Sequence, residues 1–117
     1  MTSQMQEAGT DFLVDLDGKG SSANVVSRAV AKGESRQVFK ATINGNEECM
    51  GHSECDAIIM DKAVVQAIPA LLANHVDASL IHEAAIGKIA GEQIIKLLTL
   101  GLTREEAEAA IVNGFLK

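Results

Sequence analysis

The chain has 117 residues and a formal net charge of −6, with 47% hydrophobic and 22% charged residues. This composition is typical of a soluble globular protein of one domain, with or without a small appendage, and it excludes a disordered chain. Because there is no Trp or Tyr and only three Phe, we expect an aliphatic core. No Lys/Arg cluster is longer than two residues. Nucleic-acid binding is therefore disfavoured, since it needs a basic surface to replace the counterions around phosphates.

Residues 1–10 are polar and are predicted to form a disordered lead-in. They lack the basic and apolar regions of a signal peptide. No apolar run elsewhere approaches the roughly 20 residues that a membrane-spanning helix needs. We therefore expect a cytoplasmic protein that has neither a membrane nor a nucleic acid as its partner.

Short apolar runs that end at turn residues occupy residues 11–84. In the first run, residues 12–16 alternate between two faces, and the turn residues 18–20 close it. Further runs lie at residues 25–30, 39–43, 57–60 and 78–82. Their spacing of about 12–15 residues indicates an all-β region, either a sandwich or barrel or a few rungs of a β-solenoid. No exact repeat separates these alternatives, and residues 64–73, interrupted by Pro69, fit either a strand or a helix.

Beyond residue 84 the hydrophobic period becomes helical. The recurring apolar positions are Ile86, Ile89, Ala90, Ile94, Leu97 and Leu98, and in a second helix Ala107, Ala110 and Ile111. Gly101 stands where a left-handed C-cap is wanted, and Thr103 with Glu106 forms a capping box that opens the second helix. We predict a pair of helices within residues 85–117, after a β region over residues 11–84.

Cys49, His52 and Cys55 form the pattern C-x2-H-x2-C. Thiolate and imidazole are the ligands that borderline metals prefer, so a zinc protein is one interpretation. A closed tetrahedral site needs a fourth ligand, however, and in a straight strand the two cysteines would lie about 20 Å apart. The competing interpretation is that both thiols are free and simply pack in the core.

His82 and Glu83 are a second candidate pair. Neighbouring residues of a strand point to opposite faces, so both could bind one metal only at a strand end. The competing interpretation of His82 is a histidine at the edge of the core, while His75, in a predicted turn, is expected to be exposed. The sequence has no phosphate-loop, dinucleotide-binding or nucleophile-elbow motif, and we expect no enzymatic activity.

Six segments occur in the order found in one known family. They are residues 51–61 (GHSECDAIIMD), 75–78 (HVDA), 82–89 (HEAAIGKI), 92–93 (EQ), 101–107 (GLTREEA) and 111–115 (IVNGF). Together they resemble the C-terminal part of the SufB/SufD family of iron–sulfur cluster assembly proteins. The resemblance covers roughly residues 18–117 and is dense from residue 45 onward.

This resemblance implies a mainly β fold, namely the last rungs of a right-handed parallel β-helix followed by a small two-helix domain. It also implies a non-enzymatic scaffold that pairs through its β-helix strands with a SufB/SufD-type partner or with itself. Its helical segment, residues 85–117, would dock a SufC-type ATPase, which drives the opening of the paired interface where a cluster is built. The alternative expectation is a cluster-free interaction module that regulates the SufC-type ATPase.

Carried over residue by residue, the resemblance implies that Cys55 is a cluster ligand, that His82 is an interface histidine and that Glu83 is an acid beside them. All three are therefore candidate ligands of the cluster. A scaffold must release its cluster, so we expect a transient iron–sulfur cluster and none tightly bound after purification in air. Cys49 and His52 have no counterpart and are secondary candidates.

Members of the family are several times longer than this chain. The chain is therefore expected to be either a truncated piece or a naturally short relative. In both cases the open end of its β-helix is expected to favour a homodimer.

Overall fold

The computed structural model describes residues 1–89 and 91–117. In chain order its elements are β1 (Glu7–Leu16), β2 (Ser21–Ala31), β3 (Arg36–Gly45), β4 (Cys49–Ile59), β5 (Val64–Ala73), β6 (Ala78–Lys88), α1 (Gly91–Thr99) and α2 (Arg104–Leu116). The prediction of a mainly β chain that ends in two helices is confirmed. Neither α1 nor α2 is long and apolar enough to cross a membrane.

The strands alternate between two parallel sheets, with the orders β1-β3-β5 and β2-β4-β6. In the first sheet Glu7 pairs with Arg36, which pairs with Val64. In the second sheet Ser21 pairs with Cys49, which in turn pairs with Ala78. Equivalent positions therefore recur every 28 or 29 residues, and the chain builds three stacked layers of two strands each.

The inner faces of the two sheets meet in an aliphatic core. One cluster contains Leu16, Ile43 and Cys49, and a second contains Phe39, Ala41 and Cys55. Gly51 lies on the inner face of β4 between them. A Cβ atom there would come within 2.7 Å of Leu80 Cδ2, so the missing side chain makes room for the leucine of the next layer.

A column of polar side chains stacks at one corner of the layers. Asn46 donates a hydrogen bond to Asp17 Oδ1 at 2.7 Å, and Asn74 donates one to Asn46 Oδ1 at 2.7 Å. The three residues stand just after β1, β3 and β5, so each side chain links one layer to the next. This explains why the turn residues seen in the sequence recur although the strands share no exact repeat.

The N-terminal residues are more ordered than the sequence indicates, and the predicted lead-in over residues 1–10 is wrong. Strand β1 starts at Glu7, and the buried Thr2 pairs with Ala31 and donates a hydrogen bond to Ser35 Oγ at 3.0 Å. The polarity of this segment was misleading because main-chain pairing with a neighbouring strand needs no apolar side chain.

The boundary between strands and helices also differs from the prediction. Strand β6 continues to Lys88, where it pairs with Ile59, so residues 85–88 belong to the β region and not to the helical segment. Of the predicted apolar helix positions, Ile89 precedes α1, which begins at Gly91, and Ala90 lies outside the described residues. Pro69 proves compatible with a strand because β5 is at the edge of its sheet, where an absent N–H group is tolerated.

The helix ends follow the predicted caps. Gly101 has φ of +92°. Its N–H donates to Leu98 O at 3.1 Å, and that of Leu102 donates to Leu97 O at 3.3 Å, which is a Schellman motif. Thr103 Oγ1 accepts a hydrogen bond from the backbone N–H of Glu106 at 3.2 Å, which is one of the two hydrogen bonds of the predicted capping box.

Helix α2 turns back towards the sheet that contains β2. The side chain of Arg28 donates to Lys117 O at 2.8 Å, and Lys32 forms an ion pair with Glu108 at 3.4 Å. These contacts fix the helical end of the chain beside the second sheet, which also carries the candidate site residues.

Candidate functional site

Strand β4 lies in the middle of the second sheet and presents chemically different side chains to its two faces. Its burial alternates along the strand, with Cys49, Ser53 and Cys55 buried and His52 and Glu54 partly exposed. The period of two residues places the first three side chains between the sheets and the other two on the outer surface. Two candidate sites therefore lie back to back across one strand.

Cys55 is completely buried and packs against Phe39 and Ala41. Burial raises the pKa of its thiol above the ordinary value of 9.0. The charge of Asp56 raises this pKa further, while a hydrogen bond with Ser27 lowers it. The thiol is therefore neutral at neutral pH, and it must lose its proton before it can bind a metal.

His82 lies on β6 directly opposite Ser53 of β4. The Nδ1 atom of His82 and the Oγ atom of Ser53 are both buried, and neither finds a hydrogen-bond partner among residues 1–89 and 91–117. Buried polar atoms are almost always paired, so this is an unusual polar gap between the sheets. Ser53 was not singled out from the sequence, since its inward orientation follows only from the strand register.

Cys55 and His82 are close neighbours on this inner face. Cys55 pairs with Ala84, two residues beyond His82 on β6. The two candidates therefore stand diagonally across adjacent parallel strands, with about 8 Å between their backbone positions. The structure thus brings the two main predicted residues to one face, with the unpaired hydroxyl of Ser53 beside them.

Glu83 lies on the opposite face of β6 and joins a different group. The ligand atoms of His52, Glu54 and Glu83 all lie within 4.8 Å of one another. His52 Nε2 is 3.4 Å from Glu83 Oε2, and its Nδ1 is 2.8 Å from Asn24 Oδ1. Glu54 was missed from the sequence, although its spacing of two residues from His52 in a predicted β region was a signal.

The carboxylates of this outer face influence one another. A hydrogen bond with Asp56, together with the charge of that residue, raises the pKa of Glu54 above its ordinary value of 4.5. Burial and the charge of Glu83 raise it further, while His52 lowers it. Negative charge is therefore concentrated around one imidazole.

The remaining candidates lie elsewhere. Cys49 is a free, buried cysteine that packs with Leu16 and Ile43. Because His52 points away from both cysteines, the structure does not bring the C-x2-H-x2-C residues together as one set of ligands. His75, at a corner of the layers, is partly exposed and lies 3.3 Å from Glu47 Oε1.

Comparison with known proteins identifies the family. The profile described as "SUF system FeS cluster assembly, SufBD core domain" matches residues 1–115. The chain belongs to the SufB/SufD family.

Curated SufB/SufD-family relatives agree with this assignment. An iron-sulfur cluster assembly SufBD family protein of Methanothermobacter thermautotrophicus is 43% identical over 88% of this chain and 26% of its own length. One of Archaeoglobus fulgidus is 41% identical over 87% of this chain and 28% of its own length. The chloroplastic ABCI8 protein of Arabidopsis thaliana is 26% identical over 100% of this chain and 22% of its own length. The chain thus spans about a quarter of the length of these relatives.

Proposed function

We propose that this chain serves iron–sulfur cluster assembly as a non-enzymatic scaffold, and that Cys55 and His82 bind the transient cluster. The observation that carries this proposal is the shared inner face, where a thiol and an imidazole lie on adjacent strands beside an unpaired hydroxyl. Thiolate is the usual ligand of iron–sulfur clusters, and imidazole replaces it at some sites. Membership of the SufB/SufD family supports the same role.

The position of β6 indicates how the cluster would reach a sealed thiol. This strand is hydrogen-bonded on one side only, to β4, and its residues from Ala84 to Lys88 are exposed. Displacement of β6 alone would uncover Cys55 and His82 while the other layers stay paired. We propose that the opening step attributed to the ATPase acts on this strand, and that iron then replaces the thiol proton.

Glu83 is the third ligand implied by the family resemblance. In the isolated chain it faces the outer surface with His52 and Glu54, so we assign the first contacts of the cluster to Cys55 and His82. Glu83 would join them only after β6 has moved.

The fold and setting of the scaffold follow from the same family. We propose that the three layers are the last rungs of a right-handed parallel β-helix, which is the hand that nearly all parallel crossover connections adopt. The edge strand β6 would pair with a SufB/SufD-type partner or a second copy, and the helices would dock a SufC-type ATPase in the cytoplasm. Exposed apolar side chains support the docking surface, since Ile95 is 61% and Leu100 is 75% exposed.

Substitution of Cys55, with Cys49 as the control, tests the proposal that Cys55 binds the cluster. After anaerobic reconstitution with iron and sulfide, Cys55→Ala is expected to lose most of the bound iron and sulfide. Cys49→Ala is the matched control, because Cys49 is also buried on the inner face of β4 but packs in a different cluster. An equal iron and sulfide content in Cys55→Ala and wild type would reject Cys55 as a ligand.

A second function, a cluster-free module that regulates the SufC-type ATPase, is favoured by one observation. Cys55 has no exposed surface in this structure, as expected of a packing residue. This alternative predicts that Cys55→Ala changes the ATPase rate of a SufC-type partner no more than Cys49→Ala does, and that neither wild type nor variant takes up a cluster.

A further inference from the structure

The outer face of the β2-β4-β6 sheet carries a group of metal-binding side chains. The scaffold proposal uses only Glu83 of this group, and only after β6 has moved. His52 and Glu54 alternate along β4, and Glu83 lies opposite Glu54 on β6. Two strands therefore contribute to one patch, on the side of the sheet away from Cys55. The ligand atoms of the three residues lie within 4.8 Å of one another. Atoms bound to one first-row metal by bonds of about 2.1 Å stand at most about 4.2 Å apart, so a small side-chain rotation brings all three into range.

A hydrogen bond to Asn24 fixes the orientation of the His52 imidazole. The Nδ1 atom of His52 lies 2.8 Å from Asn24 Oδ1 on β2, and a carbonyl oxygen can only accept a hydrogen bond. In the neutral tautomer that this contact selects, Nδ1–H is the donor and the lone pair of Nε2 faces Glu83 Oε2 at 3.4 Å. Metal-binding histidines are typically held in this way, by a second partner that accepts the other ring N–H group.

The charges of the patch are not balanced by the protein. Among residues 1–89 and 91–117, no Lys or Arg lies within ion-pair distance of Glu54 or Glu83. Glu83 Oε2 faces His52 Nε2 at 3.4 Å. A carboxylate oxygen and a ring lone pair repel unless a proton or a cation stands between them. A cation with three coordination bonds to this set would relieve the repulsion.

From this geometry we propose that His52, Glu54 and Glu83 form a binding site for a first-row divalent cation, separate from the face that carries Cys55 and His82. One imidazole and two carboxylates form a set without thiolate, which suits Fe²⁺, Mn²⁺ or Zn²⁺. Because the three side chains are partly or fully exposed, the remaining coordination positions are open to water. The site does not depend on the proposed scaffold function.

Titration of the full chain with Mn²⁺ alone tests this proposal, because Mn²⁺ has little affinity for the buried thiols. Binding to wild type is expected to reduce the electron paramagnetic resonance signal of free Mn²⁺. The reduction should saturate at one bound ion per chain. His52→Ala and Glu54→Gln are expected to raise the dissociation constant at least about tenfold. Asn24→Ala, which touches no metal, is expected to raise it about 10–100-fold, the usual effect of losing a partner that orients a ligand.

Two variants separate this site from the other metal-binding groups. His75→Ala and Cys55→Ala are expected to bind Mn²⁺ as wild type does, even if Cys55→Ala loses its iron–sulfur cluster. All of these substitutions can be checked for folding by circular dichroism, and Glu54→Gln keeps the shape of an exposed side chain. The proposal is overturned if wild type shows no saturable uptake of Mn²⁺, or if Glu54→Gln and His52→Ala bind as tightly as wild type.

Discussion

Cys55 is the residue whose chemistry depends most on its surroundings. It is sealed between two sheets, and burial raises the pKa of its thiol. A ligand role therefore requires both access and loss of a proton. Cys49, six residues earlier on the same strand, packs in a separate cluster with Leu16 and Ile43. The two thiols share one strand and one layer, and they differ in the core cluster in which each one packs.

The raised pKa of Cys55 predicts how stability depends on pH. Since the folded protein favours the neutral thiol, this contribution to the free energy of unfolding is complete below the ordinary pKa of 9.0 and is lost as pH rises through the higher folded pKa. Urea unfolding under reducing conditions, from pH 7 to pH 11, should show a steeper alkaline loss for wild type than for Cys55→Ala. If the free energies of unfolding of the two proteins fell in parallel with rising pH, the raised pKa of Cys55 would be contradicted.

The sequence predicts residues of the candidate site but not which side of its strand each one occupies. The resemblance named Cys55, His82 and Glu83, but only the register reveals that His82 faces Ser53 while Glu83 faces Glu54. These pairings join residues that are 29 apart in the sequence, and hydrophobic alternation within one strand carries no information about its neighbour in the sheet.

At the scale of elements, β6 is one of the two edge strands of the second sheet, and β2 is the other. An exposed edge strand offers unpaired N–H and C=O groups to another chain, so we predict that this chain forms dimers at micromolar concentration. Ile86→Lys, on β6, is expected to shift the mass measured by light scattering towards the monomer. Leu13→Lys is the control, since it places the same charge at an exposed apolar position on β1. A monomeric wild type, or a dimer lost only in Leu13→Lys, would exclude pairing through β6.

The exposed surface of the helices leads to a separate prediction about binding of the ATPase. Because Ile95 is an exposed apolar side chain of α1, Ile95→Asp is expected to weaken the retention of a SufC-type ATPase in a pull-down by at least about tenfold, as for a central apolar contact. Ile86→Lys should retain the ATPase while it loses self-association. If Ile95→Asp binds as wild type and Ile86→Lys does not, the docking surface lies on the strands.

The elements themselves were predictable to different degrees. The helix caps at Gly101 and Thr103 depend on local chemistry, and the sequence predicts both. The start of β1 and the end of β6 depend instead on hydrogen bonds to distant strands, so the polar N-terminal residues and the helix-like period after Glu83 were misleading. Pro69 left β5 ambiguous because a proline is excluded from central strands but not from an edge.

At the scale of the whole molecule, the strands and helices together form a long and thin body that measures 55 × 28 × 17 Å. The inner side chains of the two sheets pack against each other, and the last layer, like the first, has a neighbouring layer on one side only. This is the layer that carries His82 and Glu83. The proposed scaffold site and the proposed divalent cation site both lie between β4 and this last strand, and both would change together if β6 moved.

The central claim is that Cys55 and His82 bind the same cluster. The most direct test is the nitrogen hyperfine coupling of the reduced, reconstituted cluster, measured by pulsed electron paramagnetic resonance on wild type, His82→Ala and His52→Ala. We predict a strongly coupled nitrogen in wild type and in His52→Ala that is lost in His82→Ala. A cluster without nitrogen coupling in wild type, or with unchanged coupling in His82→Ala, would contradict the claim.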